Sequence, residues 1–308
     1  APRDVLRSRW LAGGVALAIL GGLPYGLWQL AHGLPQLDLA RAIPRAGAEG
    51  GRAGFIPFQL ILIGPLLAPV WIAGLVGLLR DPAWRRLRPF AGAYLLLVPA
   101  FIVTGGKAYY MSGLYPILLA VGAVGVERWL GTGRRRPALV GAGLLATAAV
   151  SAVIGLGVLP VRDLRGSIVV ALNPDTGETV GWPRFTATVA AVYRGLPAAE
   201  RARTAIFTSN YGEAGAIAHF GPRLGLPYPY SGHNGWTLWG PPPDRDTTAL
   251  LVGVDPAQAD MDFLGCRLRA QIDDGVGLDN DEQGAPVEIC HGERQPWARL
   301  WASLRHYD

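Results

Sequence analysis

Long apolar runs separated by short arginine-rich segments fill the first half of the chain. A helix rises about 1.5 Å per residue, so roughly 20 apolar residues cross a hydrocarbon core of about 30 Å. The runs of sufficient length are Trp10–Ala31, Pro57–Leu79, Ala108–Val126 and Pro137–Leu159. The shorter run Phe90–Thr104 becomes a fifth span if Arg88 extends its side chain to the membrane interface. The pattern predicts an α-helical membrane protein with about five spans within residues 1–160.

From Val161 onward, short buried-type strands alternate with amphipathic helical patterns. The predicted strands are Ala205–Thr208, Leu250–Val254 and Pro286–Cys290. The predicted helices are Arg184–Leu196, Glu213–Phe220, a helix from Pro256 and Pro296–Leu304. Alternation of this kind favours a small layered α/β domain over residues 161–308.

The arginines indicate the orientation of the spans. They cluster before Trp10–Ala31 (Arg3, Arg7, Arg9), after Pro57–Leu79 (Arg80–Arg88) and after Ala108–Val126 (Arg128–Arg136). The positive-inside rule places these segments in the cytoplasm. The loop 33–56, the turn at Lys107 and residues 161–308 then lie outside, as in a multi-pass plasma-membrane protein with an extracytoplasmic domain. The net charge of +5 then reflects topology and contact with membrane lipids, so we expect no nucleic-acid partner.

The sequence begins with Ala1, and no cleavable signal pattern precedes the first run. We therefore expect it to be the carboxyl-terminal part of a longer membrane protein.

Lys107 is the only lysine among the 28 basic residues, and it lies in the turn Gly105-Gly106-Lys107-Ala108-Tyr109-Tyr110. The predicted topology puts this turn at the outer face of the bilayer. A compact ammonium at that depth can bind a phosphate near the lipid headgroups, and tyrosines suit the interface. A second interpretation is that Lys107 only anchors a helix end by snorkelling. The residues alone leave both interpretations open.

Two glycine-rich loops of the second half concentrate polar and aromatic residues. One contains Asn210, Tyr211 and Glu213, and the other contains His233 and Asn234. Loops at strand ends are a common place for binding sites in α/β sheets, and these residue types suit sugar rings and hydroxyls. Alternatively, Asn210 and Glu213 cap the following helix while the aromatic residues pack the domain onto the membrane part. Both interpretations stay open here.

The chain contains two cysteines, Cys266 and Cys290, both in the predicted extracytoplasmic domain. An even count in an oxidising compartment predicts a disulfide between them. No phosphate-binding glycine loop, nucleophile elbow, paired Cys-x-x-Cys or His-Glu-x-x-His motif occurs, and the acidic run after Asp273 does not match a calcium loop. Nothing in the sequence requires a metal or a cofactor.

Two further patterns lie in the apolar half: Pro24-x-x-x-Trp28-Gln29-x-x-His32-Gly33-x-Pro35, and Gly105-Gly106-Lys107-Ala108-Tyr109-Tyr110 through Leu114-Tyr115-Pro116. Together they resemble the later transmembrane part of family 39-type glycosyltransferases, which include dolichyl-phosphate-mannose–protein mannosyltransferase-like proteins and lipid A aminoarabinose transferases. The loops Asn210–Gly215 and Ser231–Asn234 resemble the extracytoplasmic tail of bacterial, actinobacterial members.

The resemblance implies a GT-C fold and an inverting transfer of sugar from a polyprenyl-phosphate donor to a glycan, lipid or protein acceptor. It implies that Lys107, Tyr109 and Tyr110 contact the donor phosphate. The implied substrate-binding residues are Trp28, Gln29, His32, Asn210, Tyr211, Glu213, His233 and Asn234. The family's catalytic carboxylate lies in its first external loop, to which no part of this chain corresponds. We therefore expect the general base upstream of Ala1 and no activity from this sequence alone.

Two other functions fit the same patterns. The chain could belong to a non-catalytic membrane-anchored protein that binds a glycan or a partner protein. It could also belong to a transporter or polymerase of lipid-linked sugars with a similar bilayer architecture. The sugar, the acceptor and the polyprenol length are not specified by the sequence.

Overall fold

The computed structural model of the chain describes residues 8–46 and 51–307 and is mostly helical, with a small mixed sheet. Arg3 and Arg7, which contribute to the predicted topology, lie outside the described residues. The helices of the first half are α1 (Arg9–Ala31), α2 (Pro35–Ala46), α3 (Gly51–Ile61), α4 (Ala68–Arg80), α5 (Arg88–Thr104), α6 (Tyr115–Leu130) and α7 (Arg135–Gly155). The region 33–56, predicted as a connecting loop, therefore contains α2 and the start of α3.

Helix α1 is apolar and exposed along most of its length. Its first turn is capped by Ser8, whose hydroxyl accepts a hydrogen bond from the Trp10 N–H at 3.2 Å. Most of its leucine, isoleucine and valine side chains are exposed, and Gln29 is its buried residue. The helix ends where Gly33 and Leu34 both adopt positive φ angles, of 78° and 63°. An apolar surface of this extent requires a covering that the described chain does not provide.

The predicted span Pro57–Leu79 is not one continuous helix. The helix is interrupted after α3, and a short 3₁₀ helix (Pro65–Leu67) leads into α4. The segment Pro65–Arg80 is bent by 79° relative to Arg52–Ile61. Gly64 has a φ of 97°, which a residue with a side chain rarely adopts, and Pro65 has no N–H to continue the helical hydrogen bonds. The apolar composition of the run conceals this break.

The count of five spans is also not reached among the described residues. Three helices are long and apolar enough to cross a membrane: Arg9–Ala31, Ala108–Leu130 and Arg135–Gly155. The bent pair raises the number to four if it acts as one span. Helix α5, which contains the predicted span Phe90–Thr104, is 17 residues long and counts as a shorter apolar helix. The Ala108 segment begins as a 3₁₀ helix (Ala108–Leu114) before α6.

Helices α4 and α6 pack closely because glycines face each other's backbones. A Cβ atom placed on Gly74 would lie 1.8 Å from the Leu118 carbonyl oxygen, and one on Gly122 would lie 2.0 Å from the Val70 carbonyl oxygen. Only glycine allows the two backbones to come this near. Beside this contact, the rings of Trp71, Tyr94 and Tyr115 form an aromatic cluster with centroids 5.5 to 6.4 Å apart. This cluster is the core of the helical half.

The second half is built on a five-stranded mixed sheet with the order β2-β1-β3-β5-β4. The strands are β1 (Thr204–Thr208), β2 (Tyr230–Ser231), β3 (Thr248–Val252), β4 (Arg267–Gln271) and β5 (Pro286–Cys290). β1 runs parallel to β2 and β3, whereas β5 is antiparallel to β3 and β4. The helices are α8 (Ile168–Leu172), α9 (Asp175–Glu178), α10 (Trp182–Arg194), α11 (Ala198–Arg201), α12 (Tyr211–Phe220), α13 (Pro256–Asp262) and α14 (Trp297–Leu304).

The central strands β1 and β3 are buried on both faces of the sheet. Ile206 and Leu250 point to the face packed by α10 and α12, and Phe207 points to the face packed by α14. Because side chains alternate along a strand, two buried faces give the continuous apolar runs of β1 and β3. The domain is therefore layered as the sequence predicts, with two strands, β2 and β4, that the sequence pattern does not reveal.

Cys266 and Cys290 form a disulfide with Cα atoms 4.0 Å apart, as the sequence predicts. The bond joins the segment just before β4 to the end of β5 across an antiparallel pair. Closing a loop with a sequence separation of 24 stabilises the folded domain by roughly 3 kcal/mol in the chain-entropy treatment.

Candidate functional site

Three of the eight residues predicted for substrate binding meet in one cleft, and His32, Asn210, Tyr211, Glu213 and His233 are not among its lining residues. Trp28 and Gln29 lie on the last turns of α1, and Asn234 lies in the loop that follows β2. These three residues line a cleft of about 260 Å³ together with Tyr25, Pro35, Gln36, Leu39, Gly235, Leu238 and Tyr307. The cleft is therefore shared between the apolar half and the α/β domain.

A closed hydrogen-bond cycle fixes the α1 side of the cleft. The Gln29 side-chain amide donates to the Tyr25 hydroxyl at 2.7 Å, and that hydroxyl donates to the Gln36 side-chain oxygen at 3.2 Å. The Gln36 backbone N–H then donates to the Gln29 side-chain oxygen at 3.2 Å. Since each amide oxygen in the cycle accepts a hydrogen bond, Gln29 is buried without losing its partners.

His32 and Trp28 form a stacked pair next to this cycle. Their ring centroids are 4.4 Å apart, and the His32 Nδ1 atom lies 2.8 Å from the Trp28 carbonyl oxygen. Trp28 also stacks at 6.3 Å on Tyr25. The carboxyl end of α1 thus presents aromatic faces and amide groups together, a combination that suits sugar rings and their hydroxyls.

On the α/β side, His233 joins the two predicted loops. The Tyr211 backbone N–H donates to His233 Nδ1 at 3.3 Å, and the two rings lie 4.8 Å apart. His233 also stacks on His306 at 4.7 Å. On the other side of the ring, His233 Nε2 lies 2.7 Å from the Asn234 side-chain amide nitrogen. The imidazole therefore orients the residue that enters the cleft.

Backbone strain concentrates at the same cleft. Within residues 8–46 and 51–307, the non-glycine residues with positive φ are Leu34 (63°) and Asn234 (49°). Asn234 lines the cleft and Leu34 directly precedes Pro35, another lining residue. Residues held in sparsely populated conformations cluster at binding sites because the surrounding structure must over-determine them.

Asn210 and Glu213 cap helix α12. The Glu213 backbone N–H donates to the Asn210 side-chain oxygen at 2.9 Å, and the Asn210 N–H donates to a Glu213 carboxyl oxygen at 3.2 Å. The Glu213 side chain is buried beneath Gly253, where a Cβ atom would lie 2.1 Å from its Oε1 atom. The capping interpretation therefore describes the contacts of both residues, and their role in substrate binding stays a prediction.

The pKa values around this cap are raised. Burial raises the pKa of Glu213 to about 8, and the nearby charge of Glu282 adds to the shift. Burial likewise raises the pKa of Glu282 to about 7, with a further contribution from Glu178. The two carboxyls are connected through Asn210, whose side-chain amide donates to Glu282 at 3.5 Å. Glu213 is therefore largely protonated at neutral pH.

Lys107 lies in a separate turn between α5 and the following 3₁₀ helix. Gly105 ends α5 in the left-handed conformation, and the Lys107 side chain is partly buried. No acidic side chain within the described ranges forms an ion pair with Lys107. Tyr109 and Tyr110 pack edge to face at 5.1 Å, and both rings are exposed. Lys107 is not among the residues that line the cleft.

Two residues that the sequence does not single out complete the Lys107 turn. The Arg52 guanidinium reaches the end of α5, where it donates to the Val103 carbonyl at 3.4 Å. The buried Gln59 side-chain amide donates to the Ala108 carbonyl at 2.9 Å and accepts a hydrogen bond from the Tyr115 hydroxyl at 2.6 Å. Gln59 thereby fixes the backbone directly after Lys107, and Arg52 adds a second positive charge to the same region.

Sequence reasoning also misses Tyr25, Gln36 and Tyr307 of the cleft. Tyr25 could have been found, because it lies four residues before Gln29 on one helix face. Tyr307 carries no such signal, since its approach to α1 is set by the tertiary fold. Among the described residues, no group of three or more histidine, cysteine or acidic side chains is placed to hold a metal ion.

Comparisons with protein-family models, with curated proteins and with solved structures find no match to this chain.

Proposed function

We propose that the chain is part of an integral-membrane glycosyltransferase that uses a polyprenyl-phosphate-linked sugar as donor. The observation that carries the proposal is the Lys107 turn. There, a partly buried ammonium with no described acidic partner lies between two apolar helical segments, beside the exposed Tyr109 and Tyr110. A cation without a counter-charge in such a place favours an anionic ligand.

The chemistry of the turn suits a lipid phosphate. Lys107 provides a point charge, and the Arg52 side chain at the end of α5 provides a second one. Tyr109 and Tyr110 provide hydroxyl donors on rings that tolerate contact with acyl chains. A phosphate on a long apolar tail matches both the positive charges and the apolar surroundings, whereas a soluble nucleotide has no apolar tail to contact those surroundings.

The transfer step follows from this placement. An acceptor hydroxyl loses its proton to a carboxylate that we expect outside this sequence, and its oxygen forms a bond to the anomeric carbon. The bond from that carbon to the phosphate oxygen breaks on the opposite face, which inverts the configuration. Polyprenyl phosphate leaves with the electron pair, and Lys107 stabilises the negative charge that develops on it.

Membrane placement is supported by the exposed apolar side chains of α1 and by the three long apolar helices. The arginine clusters at Arg80–Arg88 and Arg128–Arg136 support a cytoplasmic location for those segments. With them inside, and with the 17-residue helix α5 crossing as a short span, the Lys107 turn and the α/β domain face the outside of a plasma membrane. The cleft at the end of α1 then lies on the same side as the domain, where an acceptor glycan, lipid or protein is available.

The test uses the intact protein in membranes, with a radiolabelled polyprenyl-phosphate sugar. Lys107→Ala should lower turnover by about 10²-fold or more, because it removes one donor that stabilises developing charge. Arg86→Ala, at an exposed arginine of the opposite predicted face, is the matched control and should leave turnover unchanged. Wild-type rates for Lys107→Ala would refute the proposed role.

A second candidate function is favoured by the cleft itself. Its lining combines Tyr25, Trp28 and Asn234 with no acidic or basic side chain, which is typical of a site that binds a neutral glycan without reacting with it. A membrane-anchored glycan-binding protein would retain oligosaccharide binding in Lys107→Ala and lose it in Trp28→Ala. Loss of turnover in the lysine variant distinguishes the transferase from this alternative.

A further inference from the structure

A stretch without charged residues runs through the α/β domain from Leu224 to Pro243. It contains four aromatic residues, Tyr228, Tyr230, Trp236 and Trp239, and is bounded by Arg223 on one side and by Asp244 and Arg245 on the other. We call residues 224–243 the aromatic loop. Part of the stretch, including β2, is buried within the domain, but its exposed part also carries no charge, which is unusual for a surface that faces bulk water.

Tyr228 and Trp239, with the partly buried Trp236, form one aromatic group at the surface of this loop. Tyr228 stacks on Trp236 with centroids 5.9 Å apart and an interplanar angle of 15°, and it also contacts the Trp239 ring at 6.4 Å. Trp239 is 71% exposed, and Tyr228 and Leu238 are each about half exposed. Large apolar side chains that gather at one exposed place mark an interaction surface.

The aromatic loop is continuous with the end of an apolar helix. Gly235 and Leu238 line the cleft together with Tyr25 and Trp28, which lie on the last two turns of α1. Helix α1 is apolar and exposed along most of its length, so its end marks the level at which a hydrocarbon core would give way to headgroups. The loop therefore lies beside the depth at which tryptophan and tyrosine are enriched in membrane proteins.

We propose, on the basis of the membrane placement proposed above, that the aromatic loop rests in the interfacial layer of the bilayer. Trp239 and Leu238 would enter the headgroup–acyl boundary, and the α/β domain would thereby be held over the membrane next to the cleft. A glycan is a poorer match for this surface. The exposed members Tyr228, Leu238 and Trp239 offer one hydroxyl and one indole N–H, whereas a sugar site needs several convergent polar groups.

The experiment places a nitroxide spin label on introduced cysteines. Cys266 and Cys290 are bonded to each other and no free cysteine is present among the described residues, so an introduced thiol is labelled selectively. The variants are Trp239→Cys in the loop, Leu17→Cys on the exposed side of α1, and Leu268→Cys on the exposed edge strand β4. The full chain is reconstituted into vesicles of phosphatidylcholine and phosphatidylglycerol, and label relaxation by oxygen and by a water-soluble nickel chelate is compared.

The inference predicts a ratio of oxygen to nickel accessibility that is several-fold higher at residue 239 than at 268, and highest at residue 17. A lipid-like value at 17 with a water-like value at 239 would overturn it and leave the membrane placement intact. Water-like values at both 17 and 239 would overturn this inference and the proposed membrane placement together. Protection of residue 239 only when a soluble oligosaccharide is added would also overturn it, in favour of glycan binding. If Trp239→Cys does not fold, Leu238→Cys carries the same expectation.

Discussion

Replacing Glu213 by Gln should separate the structural role of this residue from its charge. Glu213 completes the cap of α12 by accepting a hydrogen bond from the Asn210 N–H at 3.2 Å. A glutamine oxygen can accept the same bond, and Gln is an accepted residue at this position of a capping box. The substitution therefore keeps this hydrogen bond and replaces the ionisable oxygen with a neutral NH₂ group.

The expected effect follows from the pKa of the buried carboxyl. Burial raises the pKa of Glu213 from its ordinary value of 4.5 to about 8. The folded state therefore binds the proton more tightly than the unfolded state. The free energy of unfolding is then highest below the unfolded pKa and falls as the pH rises from there towards the folded pKa. At about 1.4 kcal/mol per pKa unit, the wild-type chain should lose about 3 kcal/mol of stability between pH 4 and pH 7 through this group.

Glu213→Gln should not lose that stability. The assay is denaturant unfolding of the full chain in detergent at several pH values, followed by tryptophan fluorescence. The control is Asp244→Asn, at an exposed carboxylate of the same domain, which should follow the wild-type pH dependence. If Glu213→Gln shows the wild-type slope between pH 5 and 8, or is less stable than wild type at pH 8, the linkage of stability to this carboxyl is refuted.

Two further substitutions test the packing of the helical half. Gly74→Ala should destabilise it strongly, because the new Cβ atom would lie 1.8 Å from a carbonyl oxygen of α6. The control Gly92→Ala, whose Cβ atom would have nothing within 4 Å, should be neutral or mildly stabilising. Equal thermal stability of the two variants would contradict the close approach of α4 and α6. Gln59→Leu should cost about 1–3 kcal/mol, because the Ala108 carbonyl loses its side-chain donor and the Tyr115 hydroxyl loses its 2.6 Å bond, keeping only the residue 59 backbone carbonyl at 3.2 Å. The same single change in a Tyr115→Phe background should cost less, and strict additivity in this double-mutant cycle would rule out the coupling.

The sequence predicts best where a run is uninterrupted. Helices α1 and α7 match their apolar runs within a few residues because nothing inside those runs breaks the backbone. The run Pro57–Leu79 does not form one helix, because Gly64 has a positive φ and Pro65 lacks a backbone N–H. The mean apolarity of the run reflects neither feature. Strand β4 is missed because most of its side chains are exposed and polar at the edge of the sheet. β2 is missed because it has two residues and follows Pro229.

The candidate site is predictable in its parts but not in its assembly. The residue types at Trp28, Gln29 and Asn234 point to polar and aromatic recognition, and these side chains do line one cleft. That they meet is a consequence of how the α/β domain docks against α1, across some 200 positions of sequence. Contacts of this range are set by tertiary packing, which no local pattern encodes.

The central claim is that Lys107 binds the phosphate of a polyprenyl-phosphate lipid, and the most direct measurement compares two ligands that differ only in that group. Binding of polyprenyl phosphate and of the corresponding polyprenol to the purified chain in detergent is measured for the wild type and for Lys107→Ala. A hydrogen bond to a charged group contributes about 1.5–3 kcal/mol, so the wild type should prefer the phosphate and the variant should lose roughly 10- to 100-fold in affinity for it, with polyprenol binding unchanged. Equal affinity of the wild type for both lipids, or an unchanged phosphate affinity in Lys107→Ala, would contradict the claim.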